Sequence, residues 1–199
     1  KCASYDVMAR FIQTTHGDQA SAYVPTDEVV VTDGVPGGSS PLLEETRQRF
    51  VQVVKPMMEA GTVPCITGFF GAGKDGLLTT FGRGGSDLTA ALAGYSLDAS
   101  EVRLYKVEYE KDDLGFLEEW CPGFESIVHD ANVEECIPRI TYSVAAELAG
   151  FCKAVLHPDT VSPAVGKSIP IRVCNTRATS HPGTLISAQA DAEVGEVVT

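Results

Sequence analysis

Thr79-Thr80-Phe81-Gly82-Arg83-Gly84-Gly85-Ser86-Asp87 leads directly into the apolar run Leu88-Thr89-Ala90-Ala91-Leu92-Ala93. Glycines crowded around one arginine, then Ser-Asp ahead of a helix-forming run, read as a tight loop feeding a helix. Glycine lets the backbone approach a ligand closely. Ser86 or Asp87 is placed to cap the helix that follows. The N–H groups at that helix start, with the forked Arg83 guanidinium beside them, make an anion site suited to a phosphate or a carboxylate. The same residues also read as a glycine-rich turn, a capped helix and a surface arginine, because such loops recur without a ligand.

Upstream, Val7, Met8, Phe11 and Ile12 fall at helical spacing within residues 2–14. Glu28-Val29-Val30-Val31-Thr32 is a short β-branched run and reads as a buried strand. Residues 33–40, from Asp33-Gly34 to Ser39-Ser40, are a loop by composition. Pro41 then opens a second helix, with Glu44 and Glu45 in its first turn and Phe50, Val51, Val54, Met57 and Met58 at helical spacing, and Gly61 ends it. Val63-Pro64-Cys65-Ile66-Thr67 is another strand, running into Gly68-Phe69-Phe70-Gly71. Helices alternating with strands at these spacings predict an α/β domain.

Downstream, a helix from Ser86 to Leu97 leads into a strand over Glu101–Val107. Residues 108–133 break the pattern, mixing Tyr109, Phe116, Trp120 and Phe124 with acids and Pro122-Gly123. Helix returns over Ser143–Ala154, a short helix follows over Asp159–Gly166, and strands fall at Ile169–Val173 and Gly183–Ile186. Residues 188–199 are acidic, small and weakly patterned, as in a tail or linker. There is no internal repeat.

The length of 199 residues suffices for one domain with a proper core. A net charge of −12 argues against nucleic acid as the main partner, since phosphate-backbone binding needs clustered Lys and Arg. A small phosphorylated ligand stays compatible, because a local field at a glycine loop opposes the global charge. No stretch approaches the roughly 20 apolar residues of a membrane helix. The N-terminus is no signal peptide, and its lack of an initiator methionine predicts a fragment or a processed chain. Cys2, Cys65, Cys121, Cys136, Cys152 and Cys174 form no C-x-x-C pair and have no nearby His ligand pattern, which argues against zinc, and they read as reduced buried thiols of an intracellular protein.

Several other residues invite a chemical reading. Gly68-Phe69-Phe70-Gly71-Ala72-Gly73-Lys74-Asp75 nearly spells a P-loop, but Asp75 stands where the Mg²⁺-binding hydroxyl belongs. Gly76-Leu77-Leu78-Thr79-Thr80 instead reads as the return arm of a hairpin, with Lys74 in its turn. Lys153 is either a lysine favourable to a helix C-terminus or a point charge for a phosphate. His157, before Pro158, reads as a structural histidine at a turn. Asp87 is either a capping or first-turn acid or, with Arg83 on a carboxylate, the partner of a ligand amine. Asn175-Thr176 reads as turn chemistry, and Trp120 as packing.

Five segments recur together in this order in one known family. They are residues 63–69, the arginine loop 79–87, Lys153-Ala154-Val155-Leu156-His157-Pro158, residues 169–176 and Pro182-Gly183-Thr184-Leu185-Ile186. The chain resembles the C-terminal portion of an aspartate kinase catalytic domain, of the amino-acid kinase fold. The resemblance implies an α/β protein, a three-layer α/β/α sandwich incomplete at the N-terminus. It implies transfer of the γ-phosphoryl of ATP to the β-carboxylate of L-aspartate, the first step toward lysine, threonine and methionine, with ATP and Mg²⁺. Arg83 then corresponds to the clamp on the substrate α-carboxylate, Asp87 to the partner of its amine, and Phe69, Thr80 and Ser86 to pocket wall and hydrogen-bond donors. Gly84, Gly85, Lys106 and Lys153 fall to the nucleotide, Lys153 meeting its phosphates. Phosphoryl transfer suits such a site, because it needs positioning and charge neutralisation more than covalent chemistry.

Two departures accompany the resemblance. The family's Lys-Phe-Gly-Gly-Thr-Ser motif, whose lysine stabilises the transferring group, occurs nowhere in the chain, and the acid of its Gly-Glu segment would fall just before Lys1. Loss of such a charge costs orders of magnitude in rate, so the chain alone is expected to be a poor catalyst. Where many members read Thr-Asp-Val-Asp-Gly, this chain reads Lys106-Val107-Glu108-Tyr109-Glu110, and Lys106 is the residue placed to compensate. The resulting expectation is a partial catalytic domain over residues 1–187 and a linker over 188–199 toward a regulatory ACT region. Partners are L-aspartate and Mg-ATP, with a homo-oligomer in the full-length protein, no nucleic acid and no membrane. The setting is cytoplasmic, with a plastid as the alternative. A non-catalytic truncated subunit, or another amino-acid kinase such as glutamate kinase, stands as the other reading.

Overall fold

The computed structural model describes residues 21–82, 84–106, 137–151, 156–176 and 180–189, and the chain divides into two compact units, Lys1–Leu97 and Asp98–Thr199. The expected N-terminal helix, the excursion over 108–133, four of the cysteines and nearly all of the tail lie outside the described residues.

In the first unit, β1 (Ser21–Val24) pairs in parallel with β3 (Val63–Ile66). A second sheet has the order β2-β4-β5, with β2 (Val31–Thr32) parallel to β4 (Phe70–Gly73) and β4 antiparallel to β5 (Leu78–Thr80). Among its described residues are the helices α1 (Thr26–Val29), α2 (Leu43–Glu59) and α3 (Gly85–Leu97). Its core gathers Val24, Val29, Val30, Phe50, Val54, Phe81, Leu88 and Leu92. A side chain such as Phe50 or Leu92, fully buried here, contributes about 1.5–3 kcal/mol by leaving water.

Glu28–Thr32 was expected to be one strand, and its first half is helical instead. Pro25 sets the entry, Asp27 and Glu28 occupy the first turn, and the Val30 N–H donates to the Thr26 carbonyl at 2.7 Å. Both Val29 and Val30 are fully buried, so packing overrides the β preference of the run and leaves only Val31–Thr32 extended. The second helix starts at Leu43 rather than Pro41. Pro41 stays extended and bridges Thr32, while the Leu42 N–H donates to the Val31 carbonyl (2.8 Å). The buried stripe of α2 is Thr46, Phe50 and Val54, one turn apart each. Val51 and Met58, expected on that face, are exposed. The helix closes after Pro56 through two bonds, Gly61 N–H to Met58 and Thr62 N–H to Met57 (both 2.9 Å), the double pattern of a Schellman stop.

Hydroxyl pairs tie the strand ends of this unit together. Thr26 and Thr67 bond through both side chains (Oγ1···Oγ1 2.7 Å), and the Thr67 hydroxyl also accepts the Thr26 N–H (2.8 Å). The buried hydroxyls of Thr32 and Thr79 meet at 2.7 Å between β2 and β5, whose mutual neighbour is β4. These four buried hydroxyls are tolerated because each finds a partner.

The near P-loop is a hairpin, as its sequence indicates. β4 and β5 pair Phe70 with Thr80 and Ala72 with Leu78, and no helix begins after Lys74. Lys74 lies exposed in the turn, paired with Glu45 at 3.0 Å.

The described residues of the second unit form a sheet in the order β6-β8-β9-β7, from β6 (Val102–Lys106), β7 (Arg139–Thr141), β8 (Ile171–Asn175) and β9 (Thr184–Ser187). β6–β8 and β7–β9 run parallel, and β8–β9 antiparallel. β6 alternates strictly, with Val102 and Leu104 buried and Arg103 and Tyr105 exposed. Helix α4 (Tyr142–Phe151), a single 3₁₀ turn (Pro158–Thr160) and α5 (Val161–Lys167) supply the helical part. The β8 strand sits two residues later than the expected Ile169–Val173, because the Ile169 N–H is taken by the Ala164 carbonyl (3.0 Å) in closing α5. Asn175 is therefore the buried last residue of a strand, not part of a turn. His157 holds a structural place, its Nδ1 accepting the Asp159 N–H (3.2 Å) at the start of the 3₁₀ turn.

Glu101 binds two arginines, Arg103 and Arg172, the latter at 3.1 Å. Burial by itself would raise the Glu101 carboxyl, but the hydrogen bonds from Arg103 and Arg172 outweigh it and hold the group below its ordinary value. A lowered carboxyl stabilises the fold at neutral pH and loses that effect as the pH falls through the folded value. Glu101→Gln is accordingly expected to cost about 1 kcal/mol or less at pH 7. In urea titrations over a pH series the gap to the wild type should close below the usual carboxylate range. A gap that stays constant down to acid pH would show that charge is not its source.

Among the described residues, Cys65 and Cys174 are free and buried, and burial pushes both thiols up. Among the same residues no helix is long and apolar enough to cross a membrane.

Candidate functional site

The loop after β3 and the start of α3 are built into each other. A Cβ on Gly68 would meet the Ser86 Cα and Oγ at 2.9 Å, and one on Gly85 would meet the Phe81 Cβ at 2.9 Å and the Phe69 Cα and carbonyl oxygen at 3.2 Å. Only glycine permits this approach of backbone to backbone. Phe69 itself stands at φ 85°, a region a phenylalanine occupies only under constraint. Its carbonyl accepts the Phe81 N–H (3.1 Å) and its N–H donates to the Thr89 hydroxyl (3.2 Å). The Phe69 ring remains exposed at 44%, facing outward rather than into the core.

Thr80 closes the hairpin opposite Phe70, one residue from Phe69. Its carbonyl is held twice by Ser39, through the N–H at 3.1 Å and the hydroxyl at 3.2 Å. Ser39 is presented by the 33–40 loop, whose neck is closed by Asp33: its Oδ1 accepts the Val35 and Ser40 N–H groups (3.0 and 3.2 Å). That is an Asx turn extended by one long-range bond.

The helix begins one residue earlier than expected, at Gly85, so the capping place falls on Gly84 and not on Ser86 or Asp87. Asp87 is a first-turn acid and half-buried, while Ser86 is exposed. The N–H groups of Gly85 and Asp87 donate to the Gly82 and Gly84 carbonyls (3.1 and 3.0 Å). Two of the helix-start donors expected to face an anion are thus used within the loop itself. Gly82 and Gly84 both adopt positive φ, as the tight turn requires.

Phe69, Thr80, Gly84, Gly85, Ser86 and Asp87 are therefore brought together in one unit by short chain contacts. Arg83, between Gly82 and Gly84, and Lys153 lie outside the described residues. Lys106 ends β6 in the second unit, at the C-terminal edge of the parallel β6–β8 pair, where open α/β sheets bind ligands. Its carbonyl accepts both the N–H (3.0 Å) and the hydroxyl (3.1 Å) of Thr176, and its strand partner is Asn175. The Thr176 hydroxyl is thereby spent within the sheet edge, and the Lys106 ammonium is the group there whose chemistry suits the oxygens of a nucleotide. Thr89 and Ser39 are site neighbours that the sequence did not single out, and Asn175 is one that it read as turn chemistry. Only Thr89 carried a signal, a hydroxyl one helical turn beyond Gly85 in an otherwise aliphatic run.

A cavity of about 140 Å³ adjoins the Gly68–Ser86 contact, lined by Ile66, Gly68, Ser86, Thr89, Ala90 and Ala93. A larger cleft of about 470 Å³, reached by Asp27, Arg49 and Lys74, contains none of the expected site residues.

Comparison with known proteins bears on these groups. Residues 3–107 match the amino acid kinase family. The chain is 35% identical over 194 residues to aspartokinase 1, chloroplastic, of Arabidopsis thaliana, which takes in 96% of this chain and 32% of that protein. Escherichia coli aspartokinase III, solved in complex with aspartate and ADP in its R-state, matches with a TM-score of 0.76 at 26% identity, over 95% of this chain and 39% of that one. The same enzyme with lysine and aspartate in its T-state gives a TM-score of 0.67 at 28% identity, over 92% and 38%. The chain belongs to the amino acid kinase family, and its α/β fold is the amino-acid kinase fold of the aspartokinases. It spans 32% of the length of the Arabidopsis relative and 39% of the Escherichia coli chain.

Proposed function

We propose that the chain is the part of an aspartate kinase that binds L-aspartate and much of the ATP, and that the protein it represents transfers the γ-phosphoryl group to the aspartate β-carboxylate. One observation carries this reading: the close contacts of Gly68 with Ser86 and of Gly85 with Phe69 set the Phe69 loop against the helix start that carries Ser86 and Asp87, in a fold shared with an enzyme solved with aspartate and ADP. In the reaction a β-carboxylate oxygen attacks the γ-phosphorus, the bond to the bridging oxygen breaks, and ADP leaves with its electron pair.

Arg83 clamps the α-carboxylate of the substrate through its fork, Asp87 holds the ammonium, and Phe69 walls the pocket. Thr80 and Ser86 donate hydrogen bonds to the carboxylates. Gly84 and Gly85 let the phosphates approach the loop, and Lys106 and Lys153 neutralise them. Mg²⁺ travels with the nucleotide and neutralises its phosphates when bound. A cytoplasmic or plastid setting fits this reading, in keeping with a relative named as chloroplastic.

The test is aspartate-dependent ADP formation from Mg-ATP by the 199-residue chain, with Arg83→Ala as control. Activity that falls by about 100-fold or more in the variant is expected for a lost charge clamp. A folded chain with no aspartate-dependent turnover and no aspartate binding would favour a non-catalytic subunit. Turnover with glutamate in place of aspartate would move the assignment to another amino-acid kinase.

A further inference from the structure

We propose that Thr89 is the positioning residue of the aspartate site, an inference that rests on the reading of that site given above. Thr89 is buried on the inner side of α3, one turn after Gly85. Its hydroxyl has two partners: it donates to the Gly85 carbonyl at 3.0 Å and accepts the Phe69 N–H at 3.2 Å. The first bond is the usual return of a helical threonine to the carbonyl four residues back, and it orients the oxygen. The second reaches across to a residue held at φ 85°.

One hydroxyl thus links the backbone of the pocket wall to the helical turn that carries Ser86 and Asp87. Nothing about Thr89 touches substrate in this reading. It acts by fixing how far the Phe69 wall stands from the groups that grip the amino acid. Tight spacing matters because misplacement by an ångström is enough to cost a binding site most of its advantage. The Phe69 carbonyl is secured independently by the Phe81 N–H (3.1 Å), so the hydroxyl of Thr89 holds the peptide on the other side of the Phe69 Cα. The cavity of about 140 Å³ beside Thr89 leaves room for a side chain of equal size without overpacking.

Thr89→Val keeps the shape and removes the hydroxyl, and Thr89→Ser keeps the hydroxyl and removes the methyl. Aspartate binding to the full 199-residue chain is measured by calorimetry, the Phe69 amide by hydrogen exchange, and each variant by its melting temperature. Thr89→Val is expected to raise the Kd for aspartate about tenfold and to speed exchange at the Phe69 amide, with Thr89→Ser staying within about threefold of wild type. Where turnover is measurable, the change falls on KM for aspartate and not on KM for ATP.

A Thr89→Val chain that melts earlier but binds aspartate unchanged overturns the proposal, leaving Thr89 a purely structural residue. So does a Thr89→Ser chain as impaired as the valine variant, since the methyl would then be the source. A Phe69 amide in the wild type that exchanges as fast as an open loop overturns it without any variant. A wild-type chain that binds no aspartate at all removes the substrate reading, and the proposal with it.

Discussion

Gly183→Ala is expected to destabilise the second unit by about 3 kcal/mol or more, among the larger effects of a single methyl. A Cβ at position 183 would lie 2.1 Å from the Val173 carbonyl oxygen and 3.0 Å from its carbon. That carbonyl belongs to β8, which is paired on one side with β6 and on the other with β9, so it cannot rotate away. The residue also stands at φ 69°, which costs an L side chain about 1–2 kcal/mol before any overlap is counted. Relief requires moving the first residue of β9, Thr184, off its partner Val173. Thr184 is fully buried, and its hydroxyl is spent on the Ile137 carbonyl at 2.8 Å. The measurement is urea unfolding followed by circular dichroism. A variant within about 0.5 kcal/mol of the wild type, the range of an ordinary surface change, would refute the close approach of the two strands.

The second large effect is at Gly85. Alanine is a better helix former than glycine by about 1 kcal/mol, so at an open helical position the change would stabilise. Here the added carbon meets the Phe81 Cβ at 2.9 Å and the Phe69 backbone at 3.2 Å, and none of these is the free end of a flexible side chain. Overpacking of this kind costs about 1–3 kcal/mol, so a net loss of about 1–2 kcal/mol is expected. The larger consequence is functional. Whichever way the contact opens, Phe69 withdraws from the first turn of α3, and aspartate affinity should fall by about tenfold or more. A Gly85→Ala chain that is more stable than the wild type and binds aspartate normally would contradict both the packing and the site.

The sequence made the arginine loop, the hairpin before it and the strand β3 legible, because each is dictated locally. Gly82 and Gly84 force the turn, Gly76 with Asp75 turns the hairpin, and Val63–Ile66 is bounded by Gly61 and Gly68. The start of α3 was misread by one residue because Ser86 and Asp87 are good capping residues, and the preference of a side chain yielded to the geometry of Gly84. Glu28–Thr32 was misread for the opposite reason: its β preference is strong, but Pro25 and the burial of Val29 and Val30 impose a helical turn. β1 and β7 carry too little pattern to be seen, since Ser21-Ala22-Tyr23-Val24 and Arg139-Ile140-Thr141 acquire their extended form only from partners 42 and 46 positions away in register. The family pattern singled out Phe69, Thr80, Ser86 and Asp87, which the structure brings into one unit. The groups that hold those residues in place, Ser39 and Thr89, were not singled out, because a hydroxyl aimed at a distant carbonyl or amide leaves no periodic trace in a chain.

On the proposed reading Phe69 belongs to the pocket wall, yet the chain would fold more comfortably without it. A phenylalanine in the left-handed region carries about 1–3 kcal/mol of backbone strain that a glycine would not. Its ring contributes little to the core in return, being 44% exposed. Stability and binding therefore pull position 69 in opposite directions. Selection for robustness alone would replace the ring, and a lineage released from the need to grip its amino acid should lose it early, gaining a sturdier fold as it becomes a blunter one.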